Sequence, residues 1–192
     1  QESQTIMFRV ERETAKLYVS PGDSLHTQVD AGDFDASLRF SGDAPKASEF
    51  IQIGVLVDQE INKNHPAREV YSLGEEAFLG FQDSILIIRD RSLKSNSQGV
   101  PEDMLEQRKL QNQYKWAYAI ANYENAASWY QENDSLVASA NFMKSLDAVP
   151  LENAVALDIP EYNYYVEQMI YLKMTDLLGD ELNEMEVEEY YS

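Results

Sequence analysis

The chain has 192 residues, of which 34 are acidic, 15 are basic and none is cysteine, so its formal net charge is −19. An excess of negative charge this large repels the phosphate groups of nucleic acids and of anionic lipids. The lack of cysteine excludes disulfide bonds, thiolate nucleophiles and cysteine-ligated metals. No apolar run reaches the ~20 residues of a membrane span, and the first five residues show no signal-peptide pattern.

Four short β-strands are predicted in the first 42 residues. Apolar and polar side chains alternate in residues 5–11, and the same period of two continues through 17–20 and 25–30. Pro21 and Gly22 interrupt this run where a turn is needed, and a fourth strand is predicted at 36–41. We expect these strands to form one small antiparallel sheet, which could be one layer of a truncated β-sandwich.

Helices are predicted for the rest of the chain. Apolar residues recur at spacings of three and four in the segments 45–64, 75–93, 102–131, 135–146 and from 160 onward, and Gly179 is predicted to end or weaken the last helix. The predicted fold class is therefore α+β, a small N-terminal antiparallel β-sheet followed by a bundle of about five helices. The predicted divisions are a β layer at 1–44, a helical bundle at 45–179 and an acidic tail at 180–192.

Signals for catalysis or metal binding are weak. His26 and His65 lie far apart and neither has a metal-ligand spacing, and the chain contains no P-loop, GxGxxG or GxSxG motif. Asp30, Asp33 and Asp35 could together hold a hard cation such as calcium, but Asp is also an ordinary turn residue. We favour the turn, and we predict no catalytic residue and no cofactor.

Aromatic residues are abundant, with 12 Tyr, 7 Phe and 2 Trp. At helical spacing most of them are expected in the core, because a tyrosine buries its ring and sends its hydroxyl group to a partner or to water. Trp129 lies off the main apolar stripe of its helix and is predicted to be the most exposed. Together with Tyr130 and Tyr164, it is our candidate for an interaction surface.

The segment LYVSPGDSLHTQVDAGDFDASLRFSG at 17–42, with ASEFI at 47–51, resembles the N-terminal region of TlpA-like, thioredoxin-family envelope proteins of Bacteroidetes. In that family a strand leads into a PGDS turn and a second strand, and a short segment similar to RFSG precedes a helix. Residues 147–151 and 159–162 are similar to the helical connector before the family's thioredoxin domain. The family's catalytic Cys-x-x-Cys motif is absent from this chain, so no catalytic residue is carried over.

The resemblance implies a non-catalytic accessory module of a thioredoxin-like protein of the periplasm or cell envelope. Such a module would position or dimerise the catalytic domain, which would lie beyond Ser192, or bind a partner protein. The alternative is a self-standing ligand- or protein-binding module of the bacterial envelope, and homo-oligomerisation stays open in both interpretations. An unrecognised enzyme would instead require a deep pocket with converging ionisable groups.

Overall fold

The computed structural model describes the backbone of residues 3–190 and the side chains of residues 3–177, and it shows an α+β protein that is 61% helical. Backbone contacts divide the chain into two compact units. Unit 1 comprises Gln1–Val70 and Asp83–Asn112, and unit 2 comprises Tyr71–Gln82 and Gln113–Ser192. This division differs from the predicted one, since the strands share a unit with the helix that covers them. The side chains of the acidic segment 180–192 lie outside the described residues.

The N-terminal strands form two separate antiparallel pairs, so the prediction of a single sheet is wrong. The strands are β1 (Gln4–Val10), β2 (Glu13–Val19), β3 (Leu25–Gln28) and β4 (Arg39–Gly42), and β1 pairs with β2 while β3 pairs with β4. In the turn after β2, Ser20 N–H donates to the carboxylate of Asp23 at 2.8 Å. Beyond this turn the edge of β3 pairs with β4 and not with β2. The predicted strand at 36–41 is shortened because a helical turn, α1 (Phe34–Ser37), precedes β4.

The strands of unit 1 are covered by the long helix α2 (Pro45–Asn64). Apolar side chains of the strands and of α1 with its C-cap make a core cluster of Ala15, Leu17, Phe34, Leu38 and Phe40. The fully buried Ser48 of α2 accepts a hydrogen bond from Tyr18 N–H at 3.0 Å and donates to the Tyr18 carbonyl at 3.4 Å. This pair of bonds fixes α2 on β2, where Tyr18 packs against a second cluster that includes Ala47 and Phe50 of α2.

The remaining helices differ from the predicted ones at three places. They are α3 (Ala67–Val70), α4 (Glu75–Ser95), α5 (Glu102–Ala121), α6 (Tyr123–Gln131), α7 (Ala140–Met143) and α8 (Pro160–Tyr190). The predicted helix 102–131 is divided at Asn122, and the one at 135–146 is reduced to α7 and a 3₁₀ turn because Ser139 caps α7. Gly179 does not end α8, since one glycine costs a helix interior only about 1 kcal/mol.

The core of unit 2 is built from aromatic rings. Phe78 is fully buried, with ring centroids 4.7 Å from Tyr123 and 6.3 Å from Phe142. A second group joins Tyr114 to Tyr162 at 4.9 Å and to Tyr165 at 5.8 Å. The prediction that most helical aromatic residues lie in the core is confirmed for these six side chains.

The buried phenol groups of unit 2 find backbone partners. Tyr162 donates to the Leu151 carbonyl at 2.7 Å, and Tyr114 donates to the Pro150 carbonyl at 3.2 Å. Both acceptors belong to the irregular segment before α8, which has little regular structure of its own. Because a buried hydroxyl group without a partner is costly, both tyrosines bond to this segment and hold it in place.

Candidate functional site

The acidic loop of unit 1 uses its carboxylates in local contacts. Asp30 accepts a hydrogen bond from Gly32 N–H at 2.9 Å, which is the geometry of an Asx turn. The carboxylate of Asp35 accepts hydrogen bonds from the side chains of Gln52 and Gln59 in α2. Within residues 3–177, no group of three or more His, Cys, Asp or Glu is placed to hold a metal ion. The carboxylates of Asp30 and Asp35 thus have partners within the fold, and the turn interpretation of Asp30, Asp33 and Asp35 stays a prediction.

Unit 1 also contains a small cavity lined by side chains of α2, α4 and α5. Its volume is about 10 Å³, and its lining includes Gly54, Arg89, Arg108 and Asn112. That is the space of roughly one water molecule, so it does not accommodate a substrate. The two histidines are not part of it: His26 is exposed on β3, and His65 is the residue at which α2 ends.

Unit 2 brings two of the predicted interaction residues onto one row of tyrosine rings. Tyr130 of α6 stacks on Tyr71 with centroids 5.7 Å apart and planes 7° from parallel. Tyr164 of α8 lies 5.8 Å from Tyr118 of α5. Burial raises the pKa of Tyr71, and the charges of Tyr118 and Tyr130 raise it further. We call these four residues the tyrosine row.

Trp129 follows Ser128 near the end of α6 and precedes Tyr130 of the tyrosine row, and its side chain is open to solvent. Its side chain is 78% exposed, and it is the neighbour of Tyr130 near the end of α6. Tyr164, at the other end of the row, is 52% exposed. The prediction that Trp129 is exposed is confirmed, while its role in binding stays a prediction. A tryptophan left this open is unusual, because its ring is one of the largest apolar surfaces a chain can bury.

Hydrogen bonds fix the backbone beneath this surface. Gln131 donates from its side-chain amide to the Tyr71 carbonyl at 2.8 Å. Ser128 donates to the Asn133 carbonyl at 2.9 Å, which closes the turn after α6. Trp129 and Tyr130 therefore project from a helix end that is held at both sides. Rings on such a rigid base lose little conformational entropy when a partner binds.

The sequence did not reveal the two inner members of the tyrosine row. Tyr71 lies between α3 and α4, outside any periodic pattern, and Tyr118 belongs to a helix whose apolar stripe does not single it out. Their contacts join residues that are far apart in the chain: Tyr71 meets Tyr130, and Tyr118 meets Tyr164. In the sequence, the large number of tyrosines was the only feature that indicated contacts of this kind.

The buried phenol of Tyr165 predicts a loss of stability at high pH. Burial, and then the neighbouring Tyr114, raise its pKa to about 12. Its folded pKa lies above the unfolded value near 10, so its stabilising effect is complete below pH 10 and is lost as pH rises toward 12. At pH 11 this loss is about 1.4 kcal/mol. Between pH 8 and pH 11, the free energy of unfolding of Tyr165→Phe should therefore fall by about 1.4 kcal/mol less than that of the unmodified chain. Urea titrations at the two pH values measure this difference.

The exposed Tyr171 on the same helix supplies the control for this experiment. Tyr171→Phe is expected to follow the unmodified chain at both pH values. Equal alkaline losses in the unmodified chain and in Tyr165→Phe would show that burial of this phenol does not govern the pH dependence.

Comparison of the chain with protein-family models, with curated proteins and with solved structures finds no match. The function is therefore inferred from the surface formed by Trp129 and the tyrosine row and from the resemblance of residues 17–42 to TlpA-like proteins. Across the part of the chain that the structure describes, no helix combines the length and apolar composition needed to cross a bilayer.

Proposed function

We propose that this chain is a non-catalytic interaction module of a thioredoxin-like protein of the periplasm or cell envelope. The observation that carries the proposal is Trp129, which is 78% exposed and adjacent in the chain to Tyr130, whose ring stacks on Tyr71. Tryptophan and tyrosine are enriched at the centres of protein interfaces, where they supply large contact areas and a polar tip. The resemblance of residues 17–42 to TlpA-like proteins supplies the family context.

In this proposal the surface binds a partner protein or the thioredoxin-like domain to which the module is linked. The ring of Trp129 would fill an apolar pocket of the partner, and the hydroxyl groups of Tyr130 and Tyr164 would hydrogen-bond at its rim. Redox chemistry would belong to the partner, because this chain has no thiol. The module would contribute position and affinity.

The alternative, a self-standing binding module of the bacterial envelope, is compatible with the same surface. The two proposals differ in the codons expected after Ser192 in the gene. We expect the reading frame to continue into a strand and then a helix that begins with Cys-x-x-Cys, as in a thioredoxin domain. A stop codon directly after the Ser192 codon would overturn the linked form and favour the alternative.

A further inference from the structure

Helix α8 carries apolar side chains on two opposite sides. Tyr162 and Tyr165 face the core of unit 2 and are 6% and 1% exposed. On the other side lies a second apolar set, 52–78% exposed, which we call the α8 outer face: Tyr164, Ile170, Tyr171, Met174 and Leu177. A helix that is apolar all round normally has partners all round. In the outer set, Tyr164 lies 5.8 Å from Tyr118 of the tyrosine row, while Ile170, Tyr171, Met174 and Leu177 are each more than half exposed.

The α8 outer face has the shape of a docking strip for one helix. With about 100° between successive residues, its five side chains fall within an arc of about 140°. It extends over about 20 Å, from Tyr164 to Leu177. The exposed Glu167 lies inside the same arc. A partner helix covers such a strip with side chains at spacings of three, four and seven.

The negative charge of α8 indicates which kind of partner the outer face would attract. Helix α8 contains a single basic residue, Lys173, against nine acidic ones: Glu161, Glu167, Asp176, Asp180, Glu181, Glu184, Glu186, Glu188 and Glu189. A second copy would bring two strongly acidic helices together in either orientation, and the whole chain carries a formal charge of −19. A partner with lysine and arginine beside its apolar stripe would be attracted instead.

We propose that the α8 outer face docks a basic amphipathic helix of a partner protein. Apolar side chains of that helix would cover Ile170, Tyr171 and Met174, one of its flanking cations would meet Glu167, and the negative net charge of the chain would attract the others. The inference rests on the proposed function as an interaction module and names the class of partner. The surface is distinct from the side chain of Trp129.

The test measures binding of designed peptides to the full chain by calorimetry at low and moderate salt. The probe is an 18-residue amphipathic helix of leucine and lysine. Its controls are a scrambled peptide of the same composition and a leucine–glutamate peptide with the same pattern. We expect the amphipathic basic helix to bind at least tenfold more tightly than the scrambled one, and the acidic peptide not to bind.

Variants of the chain locate the binding site. The double substitution Tyr171→Ser with Met174→Ser is expected to weaken binding of the basic helix at least tenfold. A control pair of even more exposed apolar residues, Val137→Ser with Val155→Ser, should change the affinity less than twofold. All four side chains are exposed, so thermal unfolding should be unaffected and loss of binding is not loss of fold.

Four outcomes would overturn this inference. The scrambled peptide could bind as tightly as the amphipathic one, which would mean that charge alone is responsible. The α8 double variant could bind the basic helix unchanged, which would mean that the α8 outer face is not the binding site. Sedimentation could show a dimer that the α8 double variant converts to monomer, which would make a second copy the occupant. Loss of peptide binding in Trp129→Ser, with unchanged binding in the α8 double variant, would contradict the inference and leave the proposed surface standing.

Discussion

Replacing Phe78 with alanine is expected to lower the free energy of unfolding by about 3–5 kcal/mol. Its ring is 0% exposed and lies between Tyr71 at 5.3 Å and Tyr123 at 4.7 Å. Removing the ring would discard its transfer free energy and leave a cavity that the flat neighbouring rings cannot fill. Equilibrium unfolding in urea, followed by circular dichroism, measures the change. The same substitution should loosen the tyrosine row, because Tyr71 rests on Phe78.

The matched control lies on the same helix. Ile87 is 50% exposed, so Ile87→Ala should cost less than about 1 kcal/mol. Phe78→Leu retains most of the apolar volume and should fall between the two. A cost for Phe78→Ala no larger than that of Ile87→Ala would mean that the aromatic cluster is not the centre of unit 2.

Replacing Gly42 with alanine is expected to cost about 2–4 kcal/mol. Gly42 has φ +106°, a region that side chains rarely allow, and a Cβ atom there would overlap the carbonyl oxygen of Ser24. That carbonyl belongs to the backbone next to β3 and accepts a hydrogen bond from Asp43 N–H at 2.8 Å. It cannot move without opening the β3–β4 pair. Urea unfolding of the full chain gives the cost.

Substitutions at two other glycines distinguish backbone strain from steric overlap as the cause of the destabilisation at Gly42. Gly22 has φ +94° but open space around it, so Gly22→Ala measures the backbone strain alone, about 1 kcal/mol. Gly80 lies within α4 with nothing near its missing side chain, and Gly80→Ala should stabilise the helix by about 0.5–1 kcal/mol. If Gly42→Ala costs no more than Gly22→Ala, the close approach to Ser24 is not what requires glycine.

Local patterns predicted most elements, because each element buries one face. The alternation in residues 5–11 predicted β1, and the spacing of three and four in residues 45–64 predicted α2 to its last residue. Strand pairing could not be predicted in the same way. Whether β3 pairs with β2 or with β4 depends on contacts between distant residues, and the alternation of residues 36–41 also allowed the helical turn α1.

The same distinction applies to the sites. Trp129 could be assigned to the surface because its position relative to the apolar stripe is a local property of one helix. The stacking of Tyr71 on Tyr130 is not local, and neither is the space that Gly54 leaves for the guanidinium of Arg108, 54 residues away in the chain. Features made by two distant segments have no periodic signature in either one.

We propose that this molecule works by presenting Trp129 and the tyrosine row to another protein or domain. A photo-crosslinking amino acid at position 129 or 164, introduced into the protein in its native cells, tests this proposal, and position 137, which is as exposed as 129, is the control. Mass spectrometry of the irradiated protein then identifies the crosslinked peptides. We predict crosslinks from 129 and 164 to one protein or to a linked thioredoxin-like domain, and none from 137. Crosslinks that are absent at 129 and 164, or equally frequent at all three positions, would contradict the claim.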